Sequence, residues 1–263
     1  MIWLTIIFGL IFGSFANVVL LRLNTGESLI YRGSRCFSCS RTLSWYELFP
    51  VFSYLALRGR CRTCKSKISL RYPLVEFGTA VLFLLIFIKI YGDFAGVVSI
   101  KYFLYFLFML GAWYLLWLGA VYDLRHKILP DVFNYGALLS AFFATVFYPT
   151  VYNFKFFDIL YGFLTSLAIF AFFFLLVVLS RGRWMGFGDA KYILAFGFIF
   201  RPISAAMAVV FSFWIGAVFG IFMLLFRKLK VKDEIPFGPF LFLGALVSFI
   251  FWEKILSWYL KFF

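Results

Sequence analysis

At 263 residues, 65% of them hydrophobic, 24% aromatic and only 14% charged, the chain has too little polar surface to cover a water-soluble globule. The formal net charge of +14 does not point to nucleic acid, because the basic residues gather in short segments between apolar spans, the pattern that membrane orientation sets. The composition is that of an all-α polytopic membrane protein, and most of its 41 phenylalanines read as lipid-facing or inter-helix packing.

Apolar runs lie near 2–21, 74–91, 102–121, 132–149, 157–179, 203–226 and 238–260, with a shorter run at 190–200. A crossing needs about 20 residues, so this predicts about eight transmembrane helices. The start, Met1-Ile2-Trp3-Leu4, has no basic leading region and no small-x-small site follows, so the first span is expected to stay. An even number of spans puts both termini on one side. With both termini outside, the inner loops hold 19 of the 25 basic residues, from Arg22, Arg32 and Arg35 through Arg71, then Arg125, Lys127, Arg181, Arg183, Lys191 and the cluster 227–232. Were the short sixth run re-entrant, that last cluster would fall outside, so its charge argues for a true crossing. The chain then divides into a first helix at 1–22, an inner-side segment at 23–73 and a membrane domain at 74–263.

In the first span, Gly9 and Gly13 are spaced for close helix approach, and Asn17 is expected to bond another helix. The segment 23–73 carries all four cysteines, in Cys36-Phe37-Ser38-Cys39 and Cys61-Arg62-Thr63-Cys64. Two C-x-x-C pairs 21 residues apart lie just beyond the usual gap of a four-thiolate zinc site. Two disulfides compete, but the reducing side of a membrane disfavours them. Zinc held by Cys36, Cys39, Cys61 and Cys64 is therefore expected, with a structural role: four protein ligands leave no open position, and so small a segment needs a staple.

Span three ends with Tyr122-Asp123-Leu124-Arg125-His126-Lys127-Ile128-Leu129-Pro130-Asp131, and span six is preceded by Gly186-Phe187-Gly188-Asp189-Ala190-Lys191. The predicted topology puts Asp123 and Asp189 at one depth on the inner side. Like charges about 3 Å apart cannot both ionise, so such a pair shares a proton and titrates as a unit. That is what aspartic peptide hydrolysis requires. Asp131, after Pro130 and before an apolar span, reads as a helix N-cap. Asp123 sits where the helix dipole disfavours an anion, and the competing reading is that Arg125 or Lys127 neutralises it. Gly186 and Gly188 would let backbone approach an extended substrate or aim the acid. His126, the single histidine, is assigned no role.

With these motifs in order, the chain resembles the type IV prepilin peptidases, the bifunctional leader peptidases and N-methyltransferases of type IV pilus and type II secretion systems, which are GxGD aspartic proteases. The resemblance is carried by Gly13-Ser14-Phe15-Ala16-Asn17-Val18-Val19, both cysteine pairs, Arg71-Tyr72-Pro73-Leu74-Val75-Glu76, Asp123, Leu129-Pro130-Asp131, Gly186-Phe187-Gly188-Asp189-Ala190-Lys191 and Ile235-Pro236-Phe237-Gly238-Pro239-Phe240. It implies that Asp123 and Asp189 are catalytic. The implied substrates are prepilins and pseudopilins whose basic leader ends in Gly, cut at the cytoplasmic face of the bacterial inner membrane. The new N-terminus is then methylated from S-adenosylmethionine. The family commonly shows Trp-Tyr-Asp-Asn-Ile-Pro where this chain has Trp45-Tyr46-Glu47-Leu48-Phe49-Pro50, which leaves a peptidase without methyl transfer as an alternative. A zinc-bearing membrane scaffold or transporter is the reading from another class. No residues are named for the methyl donor and oligomeric state is left open, while Glu27, Glu47 and Glu76 are candidate partners for a basic leader.

Overall fold

The computed structural model describes residues 1–29, 31, 33–93, 99–148, 156–226, 235–259 and 261; Arg32, Lys155 and the basic cluster 227–232 lie outside them. Among the described residues there are helices and turns but no strands beyond two isolated bridges. Six helices are long and apolar enough to cross a membrane: Ile2–Arg22, Arg71–Gly92, Ile100–His126, Ile159–Ser180, Pro202–Leu225 and Gly238–Trp258. A seventh, Asp131–Phe147, is apolar but shorter. The protein is a multi-pass, all-helical membrane protein, formed as two compact units, Met1–Asp93 and Phe94–Phe263.

In the first unit, α1 (Ile2–Arg22) packs on α3 (Arg71–Asp93). The small residues work as expected. A Cβ on Gly9 would lie 2.5 Å from the Ala80 Cα, and one on Gly13 would lie 2.6 Å from the Glu76 Cα, so only glycine lets the two backbones meet. Asn17 Nδ2 donates to the Tyr72 carbonyl at 3.1 Å, tying the C-terminal end of α1 to the start of α3. Between them lie a 3-10 turn (Trp45–Leu48) and the short α2 (Phe52–Ala56).

The second unit begins with α4 (Ile100–His126) and α5 (Asp131–Phe147), joined by a tight corner where Lys127 takes a left-handed conformation (φ 54°) and its N–H bonds the Asp123 carbonyl. It continues through α6 (Phe156–Ser180), α7 (Phe187–Tyr192), a 3-10 turn (Ile193–Ala195), α8 (Phe196–Ile199), α9 (Pro202–Leu225) and α10 (Gly238–Tyr259). Trp113 anchors the core, its ring edge-on to Phe200 and Phe242 and tilted against Phe249.

The short run expected at 190–200 is thus broken into three helical pieces. Away from water a broken helix needs other partners for its polar backbone, and neighbouring helices supply them. Ser166 Oγ donates to the Leu194 carbonyl at 2.7 Å and Thr145 Oγ1 to the Phe198 carbonyl at 3.0 Å. Gly197 sits directly against Ser166 and the Gly162 carbonyl, with no room for a Cβ. The same device joins α9 and α10, where Gly244 faces Ser212 and Ser248 Oγ donates to the Ser204 carbonyl at 2.8 Å.

Replacing Gly13 with Ala is expected to cost about 1–3 kcal/mol, the usual penalty for overpacking, because the clash is with backbone. Gly92, with nothing within 4 Å of its would-be Cβ, is the control: Gly92→Ala should leave thermal unfolding in detergent unchanged or slightly raised.

Candidate functional site

The four cysteines stand at the tips of two hairpins built alike. In the first, Cys36 N–H bonds the Arg41 carbonyl (2.9 Å) and Ser40 N–H returns to the Cys36 carbonyl (2.9 Å); in the second, Cys61 bonds Ser66 (2.9 Å) and Lys65 returns to Cys61 (3.1 Å). An antiparallel bridge closes each at the same offset, Arg35 with Thr42 and Arg60 with Lys67. Ser40 and Lys65, each just after a second cysteine, both take the left-handed conformation (φ 57° and 56°).

The thiols are all free, so neither candidate disulfide forms, and their sulfurs lie within 4.8 Å of one another. Cys36 Sγ and Cys64 Sγ are 3.8 Å apart. Sulfurs on a tetrahedron of 2.3 Å metal bonds are also about 3.8 Å apart, so the cage fits such an ion. Its electrostatics agree. The Cys39 and Ser38 N–H groups hold the Cys36 thiol down to about 6. At Cys39 the Arg41 N–H acts the same way, but desolvation and the three neighbouring sulfurs outweigh it and push the thiol up to about 11. Four thiolates cannot share this space without a cation between them.

None of the three candidate acids presents a free carboxylate to a basic partner. Glu27 pairs with Arg35 at 2.9 Å and Arg22 at 3.8 Å. Glu47 is buried; the Arg41 guanidinium at 2.7 Å, helped by the Ser44 N–H at 2.9 Å, holds its carboxyl below the usual range. Glu76 accepts the Val51 N–H at 2.7 Å.

In the second unit Asp123 and Asp189 are both buried, 5% and 8% exposed. Asp123 lies in the last turn of α4, and its Oδ2 accepts the Gly238 N–H at 2.9 Å. Arg125 and Lys127 do not neutralise it. Asp189 lies in the first turn of α7 and reaches back to the Gly186 N–H at 3.1 Å, so Gly186 occupies the cap position and Asp189 the third helical one.

Leu129 brings these pieces together. A Cβ on Gly188 would come within 3.1 Å of Leu129 Cβ, and one on Gly238 within 3.0 Å of Leu129 Cδ2 and 2.8 Å of Asp123 Oδ2. The two glycines therefore close on one side chain, with the Asp123 carboxyl against Gly238 and Asp189 next in sequence to Gly188. Tyr192, fully buried, donates its hydroxyl to the Leu116 carbonyl at 2.8 Å and fastens α7 to α4.

Asp131 departs from expectation. Pro130 is the cap residue, and both Asp131 oxygens take Lys191 Nζ at 2.8 Å, a pairing no local rule could foresee because 60 residues separate the partners. Lys191 also lies over the Phe187 ring at 4.9 Å. His126 lies tilted against Tyr122, with ring centroids 4.0 Å apart. Sequence reasoning gave Gly238 and Leu129 no role; the runs 235–240 and 129–131, with Pro and Gly beside apolar spans, were the available signal.

Comparison with known proteins identifies the family. The model of the bacterial peptidase A24 N-terminal domain matches residues 7–90, and that of the type IV leader peptidase family matches residues 109–221. The prepilin leader peptidase/N-methyltransferase of Bacillus subtilis (strain 168) is 31% identical over 262 residues, covering 99% of this chain and 98% of that protein. Its counterpart in Pseudomonas aeruginosa is 30% identical over 287 residues, covering 98% and 93%. A type 4 prepilin-like proteins leader peptide-processing enzyme of Escherichia coli O78:H11 is 29% identical over 259 residues, covering 91% and 90%. No solved structure matches. The chain belongs to the type IV leader peptidase family.

Metal analysis of the purified protein is expected to find about one thiolate-bound ion per chain. Cys61→Ser should lose it, and acid should release it from the wild type as protons compete for the sulfurs. A folded, metal-free 23–73 segment would overturn this reading.

Proposed function

We propose that this protein is an intramembrane aspartic endopeptidase that removes the basic leader from type IV prepilins and pseudopilins, cutting after the leader's Gly, and N-methylates the residue so exposed. The observation that carries the proposal is that Asp123 and Asp189 are both buried, each oriented by a glycine N–H, on segments whose glycines meet at Leu129. Family membership supports it, since the relatives' names join leader peptidase with N-methyltransferase.

The chemistry needs one proton between two carboxyls. The ionised member takes a proton from water as the water oxygen attacks the scissile carbonyl carbon, and the neutral member gives its proton to the carbonyl oxygen. In the collapse of the resulting diol the second carboxylate recovers its proton as C=O re-forms. The first gives its own to the leaving nitrogen as the C–N bond breaks, and the pair ends as it began. Gly238 and Gly186 hold the two oxygens in place, so little reorganisation accompanies the step. The cost of burying an anion disfavours ionising both groups at once.

The basic-residue asymmetry supports placing both acids and the cysteine segment on the cytoplasmic side of the inner membrane, with both termini outside. On this reading 74–263 performs proteolysis and 23–73 serves the methyl-transfer half. Zn(II) suits Cys36, Cys39, Cys61 and Cys64, where it would cross-link the two hairpins and do no chemistry. S-adenosylmethionine would supply the methyl group that the new amine takes.

Incubating the purified protein with a prepilin should yield the shortened product, and Asp123→Asn and Asp189→Asn should each reduce cleavage to background while leaving unfolding temperature intact. Cleavage by either variant at the wild-type rate would overturn the dyad. Gly238→Ala, which drives a methyl against the Asp123 carboxylate, is expected to lose about tenfold or more in kcat/KM, about 1.4 kcal/mol. With the methyl donor present, the product's N-terminus should gain the mass of one methyl group; an unchanged mass would leave the peptidase alone.

A further inference from the structure

Within the first unit, the segment Trp45–Ala56 carries an exposed apolar surface. Trp45 is 74% exposed, Phe52 66% and Leu55 65%, with Phe49 and Tyr46 also exposed. The Trp45 ring sits edge-on to both Tyr46 and Phe49, so these side chains form one aromatic cluster. Phe52 and Leu55, three apart on α2, share a helix face.

The depth of this surface follows from one hydrogen bond. Val51, the residue entering α2, takes a positive φ (φ 60°, ψ −48°) at the centre of a tight turn closed by the Phe52 N–H on the Pro50 carbonyl, a rare conformation for a β-branched residue. In it the Val51 N–H reaches the Glu76 carboxylate at 2.7 Å. Glu76 is the sixth residue of α3, about 7 Å along the helix from Arg71. The α3 span of 22 residues measures about 33 Å, against about 30 Å for the hydrocarbon layer. Val51 is therefore held near the boundary between headgroups and acyl chains, not out in the cytosol.

The charge around it fits the same place. Residues 51–67 contain Arg58, Arg60, Arg62, Lys65 and Lys67 and no acid, and all five are exposed. Arg62 donates to the Tyr46 hydroxyl at 2.6 Å and lies over its ring, joining the basic set to the aromatic cluster. Exposed aromatics beside arginines and lysines, at headgroup depth, are the composition of a surface that rests in a membrane interface, and anionic headgroups complement the charge.

We infer that the Trp45–Leu55 surface of the metal-binding segment is seated in the inner leaflet, with Trp45, Phe49, Phe52 and Leu55 among the upper acyl chains and Arg58, Arg60 and Arg62 on anionic phospholipid headgroups. The Val51–Glu76 hydrogen bond sets that depth. The surface fixes the segment against the bilayer at a second point besides its two helix junctions, independently of the reaction the protein performs.

The test places a photo-crosslinking benzoylphenylalanine at Phe52 of the full chain, reconstituted in nanodiscs of mixed phosphatidylglycerol and phosphatidylcholine. Phe8 of α1, exposed on a membrane-crossing helix, is the positive control. Phe37, equally exposed at the tip of the first cysteine hairpin but with no tie to α3, is the comparison, and retained metal content verifies folding. Lipid adducts at position 52 are expected several-fold above those at 37, with phosphatidylglycerol enriched over its share of the lipid. Adducts at 52 only to protein, or lipid adducts no more abundant than at 37, would overturn the inference, the first by giving this face to another part of the protein. Glu76→Gln keeps an acceptor for Val51 and should preserve the adducts, whereas Glu76→Leu should reduce them.

Discussion

Inside a bilayer a backbone polar group has no water to turn to, and much of this structure follows from that constraint. The run from Phe187 to Ile199 is the chief departure from continuous helix, and it is tolerated because Ser166 and Thr145 supply hydroxyl donors to the carbonyls of Leu194 and Phe198. The break has a use. A helix that starts at Phe187 places Asp189 in its first turn, beside free N–H groups, while unbroken α4 carries Asp123 in its last turn to the same place. Gly162, Gly197, Gly188 and Gly238 remove the side chains that would keep these pieces apart.

The acids are oriented by backbone, not by cations. Each takes one glycine N–H, and the one nearby acid that does meet an ammonium, Asp131, pairs with Lys191 and joins the start of α5 to α7. This division of labour suits the proposed dyad, which would keep a proton between two carboxyls: a cation against either would fix it as an anion. The Asp131–Lys191 pair is partly exposed, so its net energy is modest; its value lies in aligning α7.

The first unit solves a different problem. Some fifty residues between α1 and α3 have little core of their own, and order comes from the paired cysteine hairpins, from Glu47 bound by Arg41 and Ser44, and from Val51 tethered to Glu76. Glu47 and Glu76 are thereby consumed in holding the fold, which is why neither is available to greet a basic leader. One position in the Trp45–Pro50 run thus acts through structure, whatever the aromatic residues beside it contact.

The membrane class, the approximate positions of the six long apolar helices, the small-residue contact at Gly9 and Gly13, the four-cysteine cluster and the presence of acids at two costly positions, Asp123 and Asp189, were legible in the sequence. Each rests on a local pattern: hydropathy over a window, spacing of four along a helix, paired C-x-x-C, or a charge where none is cheap to bury. What only the tertiary structure decided depends on residues far apart in the chain. Gly238 reaches Asp123 across 115 positions and Lys191 reaches Asp131 across 60, and Leu129 becomes central because three separate segments close upon it. Local rules assigned Asp131 to a helix cap and offered Glu47 and Glu76 to a partner, because such rules see a residue's neighbours in sequence, whereas the partner a buried charge finds is set by which helices pack together.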